Sequence, residues 1–172
     1  MTSEMIFRLQ LGLGYAAWLL ALRAYGIPRL RTMDPRDTLR AIAMLHSFRF
    51  FGLVFILPGV VSPELPANFA TAAAYGDFAT GVLAMLALLT FRRRALFLFF
   101  TVAFNLVGIA DLLTDYYHAT AINLPAMAGY LGAAYAIPVL YVPVLMMTHG
   151  ISVYLLIRVL RGTPANAAGE VR

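Results

Sequence analysis

Six polar side chains in apolar surroundings carry whatever chemistry this chain can perform: His46, Arg49, Asp77, Asn105, Asp111 and His149. His46 and Arg49 lie one helical turn apart in the run Arg40 to Pro58, which is apolar and long enough to cross a bilayer. An Arg or Asp at the centre of such a span costs about 2.5 to 3.5 kcal/mol. Two of them at one depth are most economically accommodated as a pair, Arg49 with Asp77, with Asn105 adding hydrogen bonds. Such a pair can do no more than pin two helices. His46, His149, Asn105 and Asp111 exceed that need, which points to a ligand-binding pocket of His46, Arg49, Asp77, Asn105 and His149. In it Arg49 would hold a carbonyl or anionic head, and His149 or Asp77 would exchange a proton. Asp111 is placed as a separate relay residue.

Depth and facing support the grouping. The centres of four spans fall near Arg49, Asp77, Asn105 and His149. At 1.5 Å per residue His46 lies about 4.5 Å to one side of that level and Asp111 about 9 Å to the other. Ala70, Ala73, Ala74, Asp77, Thr80, Gly81 and Ala84 share one arc, a small-residue face of the kind that lets apolar helices pack closely. Asp77 is therefore aimed at a neighbouring helix. Thr101, Asn105, Gly108, Asp111 and Asp115 share another arc. His46 and His149 could ligate a b-type haem or, with Asp77, a divalent metal. The depth offset argues against haem and the charge of Arg49 against a metal, so neither is favoured and no metal site is assigned. His118, beside Tyr116 and Tyr117, reads as interfacial, and the phenylalanines of 48–55 and 97–104 as lipid-facing or core residues.

The elements that position these residues are five spans, at about 5–22, 40–58, 67–90, 95–113 and 137–160. The chain has 172 residues, 62% hydrophobic and 12% charged, with mean hydropathy +0.80. That charge content is about half the usual value for a soluble domain, so the fold class is an all-α integral membrane bundle. Asp34-Pro35 reads as a helix start ahead of the second span. Residues 114–136 are apolar but broken by Asn123, Pro125, Gly129 and Gly132, and are expected to form an interfacial or re-entrant segment packed on the bundle. Residues 162–172 read as a disordered cytoplasmic tail. A cleaved signal peptide is disfavoured at the first span, because the basic residues follow the apolar core.

Charge sets the expected orientation. Five Arg lie in the connection that leads into the second span (Arg23, Arg29, Arg31, Arg36, Arg40), three at 92–94, and three at the C-terminal end (Arg158, Arg161, Arg172). The intervening connections hold none. This alternation puts the N-terminus outside and the C-terminus in the cytoplasm. It also accounts for the net charge of +5 without nucleic acid. All basic residues are Arg, a bias that suggests a bacterial inner (cytoplasmic) membrane.

The absent residue types exclude chemistries. Without Cys there is no disulfide, thiolate metal site, iron–sulfur cluster or covalent haem. Without Lys there is no Schiff-base cofactor. Gly-x-Ser-x-Gly, His-Glu-x-x-His and phosphate-binding glycine loops are missing, and no inverted repeat is evident. The expected function is a pocket for a small amphipathic, lipid-like or redox ligand, with membrane lipids and a small lipophilic molecule as partners. The alternatives are a proton or ion pathway through Asp111, Asp77, His149 and His46, and an accessory subunit whose ion pair pins its own helices, a homo-oligomer or a partner.

Overall fold

The computed structural model describes residues 1–161; the expected tail at 162–172 lies outside them. The described chain is built from helices: α1 (Ser3–Ala21), α2 (Ile27–Thr32), α3 (Pro35–Ser47), α4 (Ala67–Leu89), α5 (Arg94–Ala121) and α6 (Val142–Arg161). Shorter 3₁₀ and π-helical turns join or extend them. Five helical stretches are long and apolar enough to cross a membrane: Ser3–Leu30, Pro35–Ile56, Ala67–Leu89, Arg94–Ala121 and Ile137–Arg161.

Local chemistry sets the helix starts. Thr2 caps α1 by accepting from the Met5 N–H, and Glu4 one turn before Arg8 pairs with it at 2.8 Å. Asp34 caps α3 through the Arg36 N–H at 2.7 Å, with Pro35 at the first helical position.

At Ser47 the α-helix tightens into a 3₁₀ helix, Phe48–Ile56, where the sequence leads one to expect α-helix throughout. Nine residues make an unusual length for this form. With three residues per turn its buried side is Arg49, Gly52 and Phe55 in a straight row. That row lies on α4, whose buried face is Ala70, Ala73, Ala74, Asp77, Thr80, Gly81 and Ala84, flanked by Phe69 and Ala87. A Cβ at Gly81 would stand 2.8 Å from the Phe50 N, so only glycine admits the 3₁₀ backbone at that distance.

Helix α4 is the central element, packed on the 3₁₀ row on one side and on α5 on another. The expected break at 114 is corrected. α5 continues to Ala121, 28 residues in all, because nothing between Thr114 and Ala121 interrupts the backbone hydrogen bonds. Irregular chain begins at Ile122, turns at Asn123 with φ of 51°, and includes a 3₁₀ segment at Ala128–Tyr135. This segment is tied to the loop after the 3₁₀ row by the Ser62 N–H donating to Tyr130 O at 2.8 Å.

A π-helical turn, Ile137–Tyr141, leads into α6. Pro143 has no N–H to give Val139 O, and α1 closes over this exposed backbone. Gly14 comes directly against Val139 O, and Trp18 Nε1 donates to Leu140 O at 2.8 Å. α1 is otherwise the least buried of the long helices, with Leu9, Leu13, Leu19 and Leu20 exposed.

The apolar core is divided in two. One cluster gathers Phe7, Phe55, Leu65, Phe69, Leu124, Leu131 and Ile137 at the end away from the Arg-rich connections. The other gathers Leu39, Ile42, Phe97, Phe104, Leu155 and Leu156 at the Arg-rich end. Between them lies a layer of buried polar side chains.

A buried arginine between two carboxylates

Arg49 is the centre of that layer and has no exposed surface. Its Nε donates to Asp77 Oδ1 of α4 at 2.5 Å, and its Nη2 pairs with Asp111 Oδ2 of α5. Nη1 faces Gly108 O at 3.4 Å and His149 Nε2 of α6 at 3.3 Å. All three guanidinium nitrogens are thus engaged. Arginine's planar fork suits this multidirectional bonding, where a lysine point charge would not.

The donor inventory fixes the next links. Arg49 only donates, so His149 accepts at Nε2 and carries its proton on Nδ1. Nδ1–H donates to Asn105 Oδ1 at 3.0 Å. The Asn105 amide nitrogen then donates to Ser152 Oγ at 2.8 Å and to Thr101 O at 2.7 Å. One hydrogen-bonded chain therefore joins Asp77 and Asp111 to Ser152 through Arg49, His149 and Asn105.

His46 belongs to the same layer by packing. Its ring centroid is 4.2 Å from that of His149 and 5.3 Å from that of Phe104. The Thr148 hydroxyl donates to Val144 O at 2.7 Å, so its oxygen accepts from His46 Nε2–H at 3.0 Å. The opposite nitrogen, His46 Nδ1, is buried with no hydrogen-bond partner. Tyr141 Oη donates to Leu45 O at 2.8 Å and ties the π-helical turn to the same place.

Space for the ion pairs comes from glycine. A Cβ at Gly108 would lie 2.6 Å from Arg49 Nη1 and 2.7 Å from His149 Nε2. Gly52 makes the corresponding room for Asp77, and Gly76 for Asp111. Each member of the triad is thus seated against a position without a side chain.

The structure brings His46, Arg49, Asp77, Asn105 and His149 into one layer. Two placements differ from the sequence reading. Asn105 serves His149 and Ser152 instead of the Arg49–Asp77 pair. Asp111, expected as a separate relay about 9 Å away along the helix axis, bonds Arg49 directly, because the long arginine side chain spans the offset in depth. Thr148, Ser152 and Tyr141 were not assigned to the site from the sequence, although helical spacing puts Ser152 on the arc of His149 and Tyr141 at its edge. The two imidazoles pack against each other, which leaves no room for a haem macrocycle between them. Both nitrogens of His149 are engaged, so it has no free lone pair for a metal. Among the described residues no three His, Asp or Glu side chains are arranged to hold a metal ion.

A cavity of about 340 Å³ adjoins this layer. Phe7, Leu11, Phe55, Phe69, Leu112 and Ile137 are among its apolar walls. Asp77, Asp115, Tyr116, Thr120, Asn123 and Arg8 supply its polar groups. Asp77 is the one member of the Arg49 triad that reaches it. Asp115 Oδ1 is buried and has no hydrogen-bond partner. Tyr116 Oη is shared with Tyr15 Oη at 2.5 Å, and the Thr120 hydroxyl donates to Tyr116 O at 2.7 Å.

These features define an all-helical bundle of five apolar stretches closed around a buried Asp–Arg–Asp triad. The chain belongs to the family described as Domain of unknown function (DUF8737), whose model matches residues 6–157. The matched region contains the whole polar layer and the cavity. No curated protein and no solved structure matches the chain.

Proposed function

We propose that this is a polytopic inner-membrane protein that binds a small amphipathic, lipid-like ligand in the cavity beside the Arg49 triad. Its N-terminus is outside and its C-terminus cytoplasmic, a reading supported by the alternation of Arg-rich and Arg-free connections. The ligand's apolar body lies along Phe7, Leu11, Phe55, Phe69 and Ile137, and its polar end meets Asp77 and Asp115. The observation that carries this reading is the cavity of about 340 Å³, apolar along its walls and acidic where it touches the polar layer. It falls at the small end of the range for ligand pockets, about 300–1,000 Å³. The polar layer itself is a support. It holds Asp77 in place from behind through Arg49, His149 and Asn105.

A proton pathway is the competing use of the same residues, and Arg49 argues against it. A relay member must both take and release a proton, and arginine does not release one in proteins. A fixed positive charge across the chain of hydrogen bonds also repels cations.

The test is co-purification. Native mass spectrometry of the protein released from a mild detergent should show a bound small amphipath in the wild type. Ala119→Phe, which fills the cavity, should remove it while the thermal melt stays cooperative. Equal adduct mass and occupancy in both proteins would sink the reading.

A further inference from the structure

Which end group the cavity accepts follows from the placement of charge around it. Arg49, the only cation of the polar layer among the described residues, is wholly buried and is not part of the cavity wall. Its three nitrogens are engaged by Asp77, Asp111, Gly108 O and His149. Among the described residues Arg8 is the one cation on the wall. Its Nε and Nη2 both go to Glu4 Oε1, at 3.1 and 2.8 Å, and its side chain is 64% exposed, which places it at the mouth. The remaining charged groups on the wall are the carboxylates of Asp77 and Asp115, with Asp111 one turn from Asp115 on α5.

Satisfaction of hydrogen bonds points the same way. Asp77 has its donor in Arg49, Tyr116 is matched with Tyr15, and Thr120 donates to backbone. Asp115 has a buried oxygen without any donor. Leaving a buried polar oxygen unmatched is costly, and a hydroxyl, which both donates and accepts, or an ammonium, which adds a counter-charge, would match it. A carboxylate or phosphate would instead bring further negative charge beside Asp77, Asp111 and Asp115, which have one arginine between them.

Resting on the ligand-binding reading above, we infer that the cavity takes a single-chain amphiphile whose head is a hydrogen-bond donor, a hydroxyl or an ammonium, seated on the Asp115 carboxylate beside Asp77. The apolar chain then runs between α1, α5 and the 3₁₀ row, and the Arg8–Glu4 pair lies at the open end. This inverts the assignment that Arg49 suggests from sequence, in which the head would be a carbonyl or an anion. Asp77 lies between the arginine and the cavity, and Asp77 and Asp115 present carboxyl groups there in its place.

The test compares octylamine, 1-octanol and octanoate at equal free concentration, with purified protein in nanodiscs of one fixed lipid composition. Trp18, the single tryptophan, is bonded to Leu140 O between the wall residues Pro138 and Val142 and serves as the fluorescent reporter. In the wild type, octylamine and octanol should bind about tenfold more tightly than octanoate, the size expected for one hydrogen bond to a charged group. Asp115→Ala should remove that preference. Asp115→Asn, closer in shape and so the safer fold, should weaken octylamine more than octanol if the head is an ammonium, and spare neither advantage over octanoate fully.

Octanoate binding as tightly as the other two in the wild type would overturn the head-group assignment. So would an amine-to-carboxylate preference that Asp115→Asn leaves unchanged. Ala119→Phe and Thr120→Phe, which fill the cavity and keep the Asp115 carboxyl in the chain, separate this failure from that of the binding reading. If they abolish binding of every probe while octanoate is not disfavoured, the cavity stands and the head assignment falls. If they change nothing for any probe, the binding reading falls with it.

Discussion

Replacing Arg49 by Leu removes one charge and leaves two. Asp77 and Asp111, each about one-twentieth to one-tenth exposed, both point at the vacated position. Breaking a buried ion pair by deleting one partner costs about 3–5 kcal/mol, because the other charge is left uncompensated. For a protein of this size about 1 kcal/mol corresponds to roughly 2–4 °C in Tm. Arg49→Leu is therefore expected to lower the melting temperature by about 6–20 °C. The reverse deletions should be milder. Asp77→Asn keeps an oxygen that accepts from Arg49 Nε, and Asp111 still supplies a full counter-charge, so a loss of about 1 kcal/mol is expected. The triple variant Arg49→Leu, Asp77→Asn, Asp111→Asn removes all three charges and should recover most of the stability lost by Arg49→Leu alone. The assay is thermal and denaturant unfolding in one detergent, followed by circular dichroism and by Trp18 fluorescence. If Arg49→Leu melts within about a degree of wild type, or if the triple variant is less stable than Arg49→Leu, the triad is not an electrostatic unit and the reasoning fails.

Other perturbations read other parts of the structure. Gly108→Ala drives a methyl against Arg49 and His149, both fixed by their own partners, and should cost about 1–3 kcal/mol in the same unfolding assay; a neutral result would show that this side of the triad is loosely packed. Thr148→Val takes away the acceptor of His46 Nε2–H and should destabilise by about 1–3 kcal/mol, whereas Thr114→Val, whose hydroxyl only bonds back to Ala110 O on an exposed face, should cost little. Because the chain has no Cys, each introduced cysteine reports alone. Glu64→Cys should react with an impermeant maleimide in intact cells and Thr32→Cys only after permeabilisation, and the opposite pattern would reverse the proposed orientation.

Five apolar stretches were legible from composition alone, because burying a peptide backbone in an apolar medium leaves long helices as the economical solution. Asp34-Pro35 announced the start of α3, since the cap and the proline act within one turn and need nothing from the rest of the fold. The inward face of α4 was legible too. Small residues at helical spacing around Asp77 specify a contact face whichever neighbour fills it. Depth and face together led to Arg49 and Asp77, because two costly charges at one level have few other partners.

What remained required the tertiary structure. Residues 48–56 are apolar in a pattern that suits either an α-helix or a 3₁₀ helix. The choice is set by the fit of Arg49, Gly52 and Phe55 against α4 at Gly81, a contact between segments some thirty residues apart. Asp111 joined Arg49, and Asn105 turned to His149, for a related reason. Helical periodicity gives the direction of a Cβ, while the reach and rotamer of the side chain beyond it depend on how neighbouring helices are rotated and spaced. The cavity is the extreme case. It exists only where α1, α4, α5, the 3₁₀ row and the chain after Asn123 fail to fill the space between them. The sequence alone determined which charges must be buried and matched. Only the packing of the helices decided that the arginine would be enclosed by two carboxylates, and that a third, Asp115, would face the open space.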